Sequence, residues 1–171
     1  ERYEAILRAM AAGNSTPSKI ASYISGITGE KLSSQDVKSY LRILEKMGLI
    51  KRTKIFRKSR YMYTIESPMI HAYYYLNEKT GYGEMEIPLN IVIRELKKQV
   101  PRYFENFIVT LIAKVLGGII EKTYQNEIDG IITRKKNVIA TVEVKMGIIT
   151  SAEVKSFIEK TNKLRIEAPR I

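Results

Sequence analysis

The spacing of apolar and polar residues over the first 48 positions predicts three short helices. Residues 3–10 carry apolar side chains at helical spacing. A second helix begins with Pro17 at its first position, where the missing N–H group costs nothing. A third begins at Ser33 or Ser34, with an acid placed as in a capping box, and ends at Gly48. These three helices bury one apolar face each.

The pattern then changes to alternating residues, which indicates strands. Two strands, 49–56 and 61–65, flank a basic turn, and a helix over 68–78 follows them. The rest of the chain has an α/β order. The expected elements there are helices around 91–96 and over 101–115, strands 119–124, 127–133 and 138–145, and a helix from Thr150 or Ser151 to about Leu164.

A stretch rich in glycine and proline, residues 77–88, is the best candidate for a domain boundary. We therefore expect a multi-domain α+β protein. The first domain spans 1–78, a linker with a connecting helix spans 79–100, and an α/β domain spans 101–171.

Composition narrows the class of protein. The chain has 171 residues, of which 44 % are hydrophobic and 27 % charged, as in folded proteins. It contains no cysteine, which excludes disulfides, thiolate zinc sites and cysteine nucleophiles, and favours a cytoplasmic location. The apolar runs are far shorter than the ~20 residues of a membrane-spanning helix, so no membrane association is expected. His71 has no partner at ligand spacing and is interpreted as a surface or packing residue.

The net charge of +11 is concentrated in one segment. Residues 51–60 hold six cations and no acid. This run predicts either a solvated basic hairpin or a contact with nucleic-acid phosphates. The polar face of the third helix adds further candidates for DNA contact. The full set of predicted DNA-binding residues is Gln35, Lys38, Arg42, Lys46, Lys51, Arg52, Lys54, Arg57, Lys58 and Arg60.

Two acids in the second half are predicted to face each other across a hairpin. If the hairpin closes through residues 135–137, with Asn137 in the left-handed conformation, Asp129 lies opposite Glu143. Their Cβ atoms are then roughly 4.5–5.5 Å apart. Lys145 stands on the same face. The alternative is that Glu143 and Lys145 form the solvent face of an edge strand.

Paired carboxylates at this separation favour a cation. Oxygen ligands suit Mg²⁺ or Mn²⁺, and Asp129 and Glu143 are the predicted metal ligands. Phosphodiester hydrolysis needs such a set, with Lys145 positioning water or stabilising the developing charge. No Walker A sequence is present, so ATP binding through a P-loop is not expected in this segment.

The segments TPSKIASYIS and SSQDVKSYLRILEKMGLIKR, followed by the basic hairpin, resemble a winged helix-turn-helix. That resemblance implies a third helix that enters the major groove and a wing that contacts phosphates. Many winged helices bind protein instead, so docking to a partner is the alternative.

Asp129, followed after thirteen residues by Glu143-Val144-Lys145, resembles the PD-(D/E)xK nuclease superfamily, with Ile128 in place of its proline. YFENFI and EIDGIITRKKNVIATVEVKMG are similar to the C-terminal region of a family of archaeal AAA-type ATPases. The resemblance implies a restriction-endonuclease-like second domain whose catalytic set is Glu105, Asp129, Glu143 and Lys145. Glu105 lies at the border of an apolar stripe, so it points either toward Asp129 or to solvent.

The resemblance also implies a truncated chain. We expect an ATPase module before Glu1 and the end of a sheet after Ile171. Abundant isoleucine, lysine and tyrosine, without cysteine or tryptophan, fits a thermophile. The expected function is DNA binding with a Mg²⁺- or Mn²⁺-dependent deoxyribonuclease site. The alternative is a DNA-binding or docking module whose nuclease-like domain is a structural platform.

Overall fold

A computed structural model describes residues 1–124 and 128–164, and within these ranges the protein is α+β, with seven helices and one mixed five-stranded sheet. The helices are α1 (Arg2–Ala11), α2 (Pro17–Thr28), α3 (Ser34–Lys46), α4 (Pro68–Thr80), α5 (Leu89–Lys97), α6 (Val100–Val115) and α7 (Ser151–Lys163). The strands are β1 (Ile50–Ile55), β2 (Tyr61–Ile65), β3 (Ile119–Lys122), β4 (Gly130–Arg134) and β5 (Asn137–Val142). In the described ranges no helix is both long and apolar enough to cross a bilayer.

The sheet has the strand order β2-β1-β3-β4-β5. Strand β1 runs parallel to β3, with Lys54 opposite Glu121 and Ile55 opposite Lys122. The pairs β3–β4 and β4–β5 are antiparallel. Strands β1, β3 and β5 therefore end, and β4 begins, at one edge of the sheet, which we call the carboxyl edge.

The chain divides into two compact units. The first comprises residues 1–52 and 61–99, and the second comprises 53–60 and 100–171. This division differs from the boundaries expected at 78 and 100 in two ways. Residues 53–60 belong to the second unit because β1 pairs with β3, and α5 belongs to the first.

The first unit has a helical core. Apolar residues of α1, α2, α3 and α4 pack together with Ile50 and Ile65 from the strands. The predicted cap of α3 is present, because Ser33 Oγ accepts from the Asp36 N–H while the Asp36 carboxylate accepts from the Ser33 N–H. His71 is 4 % exposed and stacks on Tyr75, which makes it a packing residue.

The second unit packs α6 against the sheet. Val109 and Ala113 from α6 contact Ile132, Val142 and Val144. The contact is close at Gly130, where a Cβ atom would lie 2.5 Å from Val109 Cγ1. Residue 130 therefore has to be glycine for the helix to approach the start of β4.

The hairpin between β4 and β5 has the expected register from Gly130 to Ile132, but its turn and the pairs next to the turn differ from the prediction. The left-handed residues are Lys135 and Lys136, with φ of 50° and 69°, so the prediction of a left-handed Asn137 was wrong. Asn137 instead pairs with Arg134, and a bulge between Ile132 and Thr133 absorbs the extra residue. Beyond the bulge Gly130 pairs with Val142, as a three-residue loop would have placed them.

Strands β3 and β5 end earlier than expected. Strand β5 ends at Val142 rather than 145, and β3 ends at Lys122 rather than 124. Strand β4 is buried on both faces from Gly130 to Thr133, since it lies in the sheet interior. The expected strand start at Glu127 lies outside the described residues.

Gly130→Ala tests the close approach of α6 to β4. We expect it to lower the free energy of unfolding by about 1–3 kcal/mol, because the new methyl group overlaps buried Val109. The matched control is Gly26→Ala on α2, where nothing lies within 4 Å of the added Cβ atom. It should stabilise by about 0.5–1 kcal/mol. Urea unfolding of both variants measures the difference, and equal effects would contradict the packing argument.

Candidate functional site

Side chains with the expected chemistry converge at the carboxyl edge of the second unit. Asp129 immediately precedes β4, and Glu143 immediately follows β5. The last ladder pair, Gly130 with Val142, places these two acids at the next position on either strand. The carboxylates therefore leave adjacent strands at the same level.

Asp129 is fixed by a hydrogen bond across the hairpin. Its Oδ2 accepts from the Val144 N–H at 2.7 Å. Lys122 Nζ donates to the backbone carbonyl of the same residue. A carboxylate has lone pairs in excess of one hydrogen bond, so Asp129 retains acceptor capacity for a ligand.

Glu143 holds two cations on one of its oxygens. Lys160 Nζ lies 2.8 Å and Lys145 Nζ 3.6 Å from Glu143 Oε1. The glutamate side chain is only 13 % exposed, whereas that of Lys145 is 45 % exposed. The alternative of a solvent-facing Glu143 is therefore wrong, although Lys145 does reach solvent.

The second oxygen of Glu143 is an exception among buried polar atoms. Among the described residues, Oε2 is buried and has no hydrogen-bond partner. A buried acceptor in this state costs about 1–3 kcal/mol or more when charged. A cation or donor bound at this oxygen would remove that cost.

Glu105 lies within electrostatic range of both acids. Its partial burial, and then the negative charge of Asp129, raise the pKa of its carboxyl group, with a smaller contribution from Glu143. Lys122 and Lys145 oppose the shift. Glu105 is partly buried rather than fully exposed, and its approach to the hairpin acids stays a prediction.

Asp129 and Glu143 supply carboxylate oxygens, the ligand type that divalent ions such as Mg²⁺ prefer. No group of three or more His, Cys, Asp or Glu side chains that could hold a metal occurs in residues 1–124 and 128–164. Two carboxylates with an orphaned oxygen fit a Mg²⁺ or Mn²⁺ site that is completed by water and a substrate oxygen. They do not form a closed all-protein cage.

The cations of the basic hairpin are largely engaged within the protein. Lys51 pairs with Glu66, Arg52 pairs with Glu45 and stacks over Tyr61, and Lys54 pairs with the buried Glu121. Arg57 donates to the Leu164 carbonyl, and Lys58 lies over the Tyr124 ring. Arg60 is exposed at the end of the turn.

The polar face of α3 differs from the basic hairpin in the exposure and ion pairing of its cations. Gln35, Lys38, Arg42 and Lys46 are all exposed. Lys38, Arg42 and Lys46 recur every four residues, which places them in one row along the helix. No ion pair to these three cations occurs within residues 1–124 and 128–164.

Two residues of the site were not predicted from the sequence. Lys160 contacts Glu143 from α7, and Lys122 contacts Asp129 from β3. Lys160 is one of several lysines on an amphipathic helix, so spacing alone does not distinguish it from Lys155 or Lys163. The position of α7 in the fold is what places Lys160 beside Glu143.

Comparison of the chain with models of known protein families, with curated proteins and with solved structures gives no match.

Because the pKa of Glu105 is raised, we expect its contribution to the free energy of unfolding to depend on pH. Because folding disfavours its ionised form, its contribution to stability is full below the usual pKa of 4.5 and is lost as pH rises through the raised value. Glu105→Gln should therefore become more stable relative to the parent as pH rises from 4 to neutrality. Urea unfolding across this range, with exposed Glu159→Gln as the matched control, measures the change. A difference that stays constant with pH would contradict it.

Proposed function

We propose that this protein binds DNA and hydrolyses phosphodiester bonds in a reaction that depends on Mg²⁺ or Mn²⁺. The observation that carries the proposal is the buried Glu143 Oε2, which has no partner in the described residues and belongs to an acid that leaves β5 at the level of Asp129. We further infer a winged helix-turn-helix over residues 1–65 and a PD-(D/E)xK arrangement in the second unit, as expected from the resemblance to archaeal ATPases.

Each residue has a chemical role in this proposal. Asp129 and Glu143 would hold the metal ion, and Glu105 would join them or orient a water molecule. When bound, the ion supplies Lewis acidity and a hydroxide nucleophile. Lys145, half-exposed beside Glu143, would stabilise charge that develops on the phosphate. Lys160 would hold Glu143 by Oε1, the oxygen that Lys145 also approaches, and would leave Oε2 for the ion.

Duplex DNA is proposed to bind to the first unit through α3. The row of Lys38, Arg42 and Lys46 carries exposed cations without ion pairs in the described residues, and Gln35 extends it toward the helix start. Cations that already hold an acid release less free energy on meeting a phosphate. Binding energy should therefore come more from α3 than from the hairpin.

A second candidate, a non-catalytic DNA-binding or docking module, is supported by Lys160. Its ammonium group already neutralises Glu143 at 2.8 Å, so the acid is stable without a metal ion. Calorimetry separates the two functions. A catalytic site should bind Mg²⁺ in the millimolar range or better, whereas a platform has no need to bind it.

Cleavage assays test the catalytic proposal. The protein with Mg²⁺ or Mn²⁺ should cut linear, supercoiled or branched DNA, and Asp129→Asn or Lys145→Met should reduce the rate by about 100-fold or more. Glu159→Gln, at an exposed acid on α7, is the matched control and should retain activity. Absence of cleavage by the parent protein, or equal cleavage by all variants, would overturn the proposal.

Salt dependence tests the DNA-binding surface. Lys38→Gln/Arg42→Gln should flatten the slope of log affinity against log salt by about 2 units, since two phosphate contacts are lost. Lys51→Gln/Arg52→Gln removes the same charge from residues that already pair with Glu66 and Glu45, so the slope should change less. Fluorescence anisotropy with a labelled duplex measures both slopes. A larger effect of the second variant would assign binding to the hairpin.

A further inference from the structure

The carboxyl edge of the second unit carries an aromatic and cationic cluster beside the acids. Phe56, Arg57 and Lys58 follow β1, and Tyr124 follows β3. Because β1 and β3 are parallel neighbours, these residues leave the sheet together, and the Phe56 N–H donates to the Lys122 carbonyl at 2.9 Å.

This cluster lies at the same edge as the carboxylates. Asp129 immediately precedes β4, the strand next to β3, and Lys122 Nζ donates to the Asp129 carbonyl. Glu143 immediately follows β5, the next strand of the sheet. Neighbouring strands are about 4.8 Å apart, so β1 to β5 spans roughly 14 Å. A few nucleotides of a DNA strand cover that distance.

Tyr124 has the features of a stacking platform. Its side chain is 52 % exposed although it follows a strand of the sheet. Lys58 Nζ lies over one face of the ring, 4.3 Å from its centroid, so the cation covers that face and a base would stack on the other. Proteins bind unpaired nucleic-acid strands with aromatic rings that lie next to cations, because the bases stack on the rings while the phosphates contact the cations.

The turn that carries the cations is held in an unusual conformation. Arg57 has φ of 56°, in the left-handed region that a residue with a side chain seldom adopts. Its guanidinium lies over Phe56 and donates to the Leu164 carbonyl at 2.9 Å. Residues in such conformations cluster at binding sites. An arginine here presents a cation where a glycine would satisfy the backbone.

We propose that Tyr124 and Lys58, supported by Arg57, form a binding site for single-stranded DNA that leads to Asp129 and Glu143. A base stacks on the Tyr124 face opposite Lys58, and the neighbouring phosphates contact Lys58 and Arg57. In a duplex the faces of each base are covered by its neighbours, so this site selects an unpaired strand. The inference deepens the proposed function by naming its substrate class, a DNA strand that is unpaired at the point of cleavage.

Binding in the presence of EDTA tests the site without requiring cleavage. Anisotropy of labelled oligothymidine, and of the same strand paired with oligoadenosine, gives both affinities for the full chain. Tyr124→Ala should weaken single-strand binding about 5- to 100-fold and leave duplex binding unchanged. Tyr124→Phe keeps the ring and should restore affinity. The matched control is Tyr82→Ala, at an exposed tyrosine of the first unit.

The outcomes separate this inference from the catalytic proposal. Unchanged single-strand affinity in Tyr124→Ala, or an equal loss on both ligands, would overturn the stacking site whether or not the protein cleaves DNA. A selective loss that Tyr124→Phe restores supports it even if no nuclease activity is found. Unfolding midpoints of the variants must match that of the parent, so that a folding defect is not read as lost binding.

Discussion

The pairing of Gly130 with Val142 is the constraint on which the candidate site depends. A shift of one residue would turn one of the two acids to the opposite side of the sheet. The two-residue turn at Lys135 and Lys136 would by itself produce such a shift, and the bulge after Ile132 cancels it. Two irregularities of opposite effect therefore bring Asp129 and Glu143 to the same level.

Local signals allowed most elements to be predicted from the sequence. Caps such as Ser33 and Thr150 and the prolines at helix starts act within one turn, so a single stretch of sequence contains all the information. The order of helices and strands followed from them. The strand ends were less predictable, because residues 143–145 continue the alternating pattern of β5 without a partner strand.

Contacts between distant segments could not be predicted in this way. The parallel pairing of β1 with β3 joins residues almost seventy positions apart, and no residue type announces it. It converts Lys54 from an apparent phosphate ligand into the partner of buried Glu121. The same reason hides Lys160, whose role depends on how α7 packs. A run of like charges in the sequence therefore does not show which cations can bind a ligand, because tertiary contacts can pair them with acids.

The absent side chain at Gly130 also has a geometric consequence for Glu105. Val109 and Glu105 lie one turn apart on α6, so the depth to which Val109 settles against β4 sets the distance from Glu105 to Asp129. The absence of a side chain at Gly130 therefore influences how strongly the carboxylates of Glu105 and Asp129 repel each other.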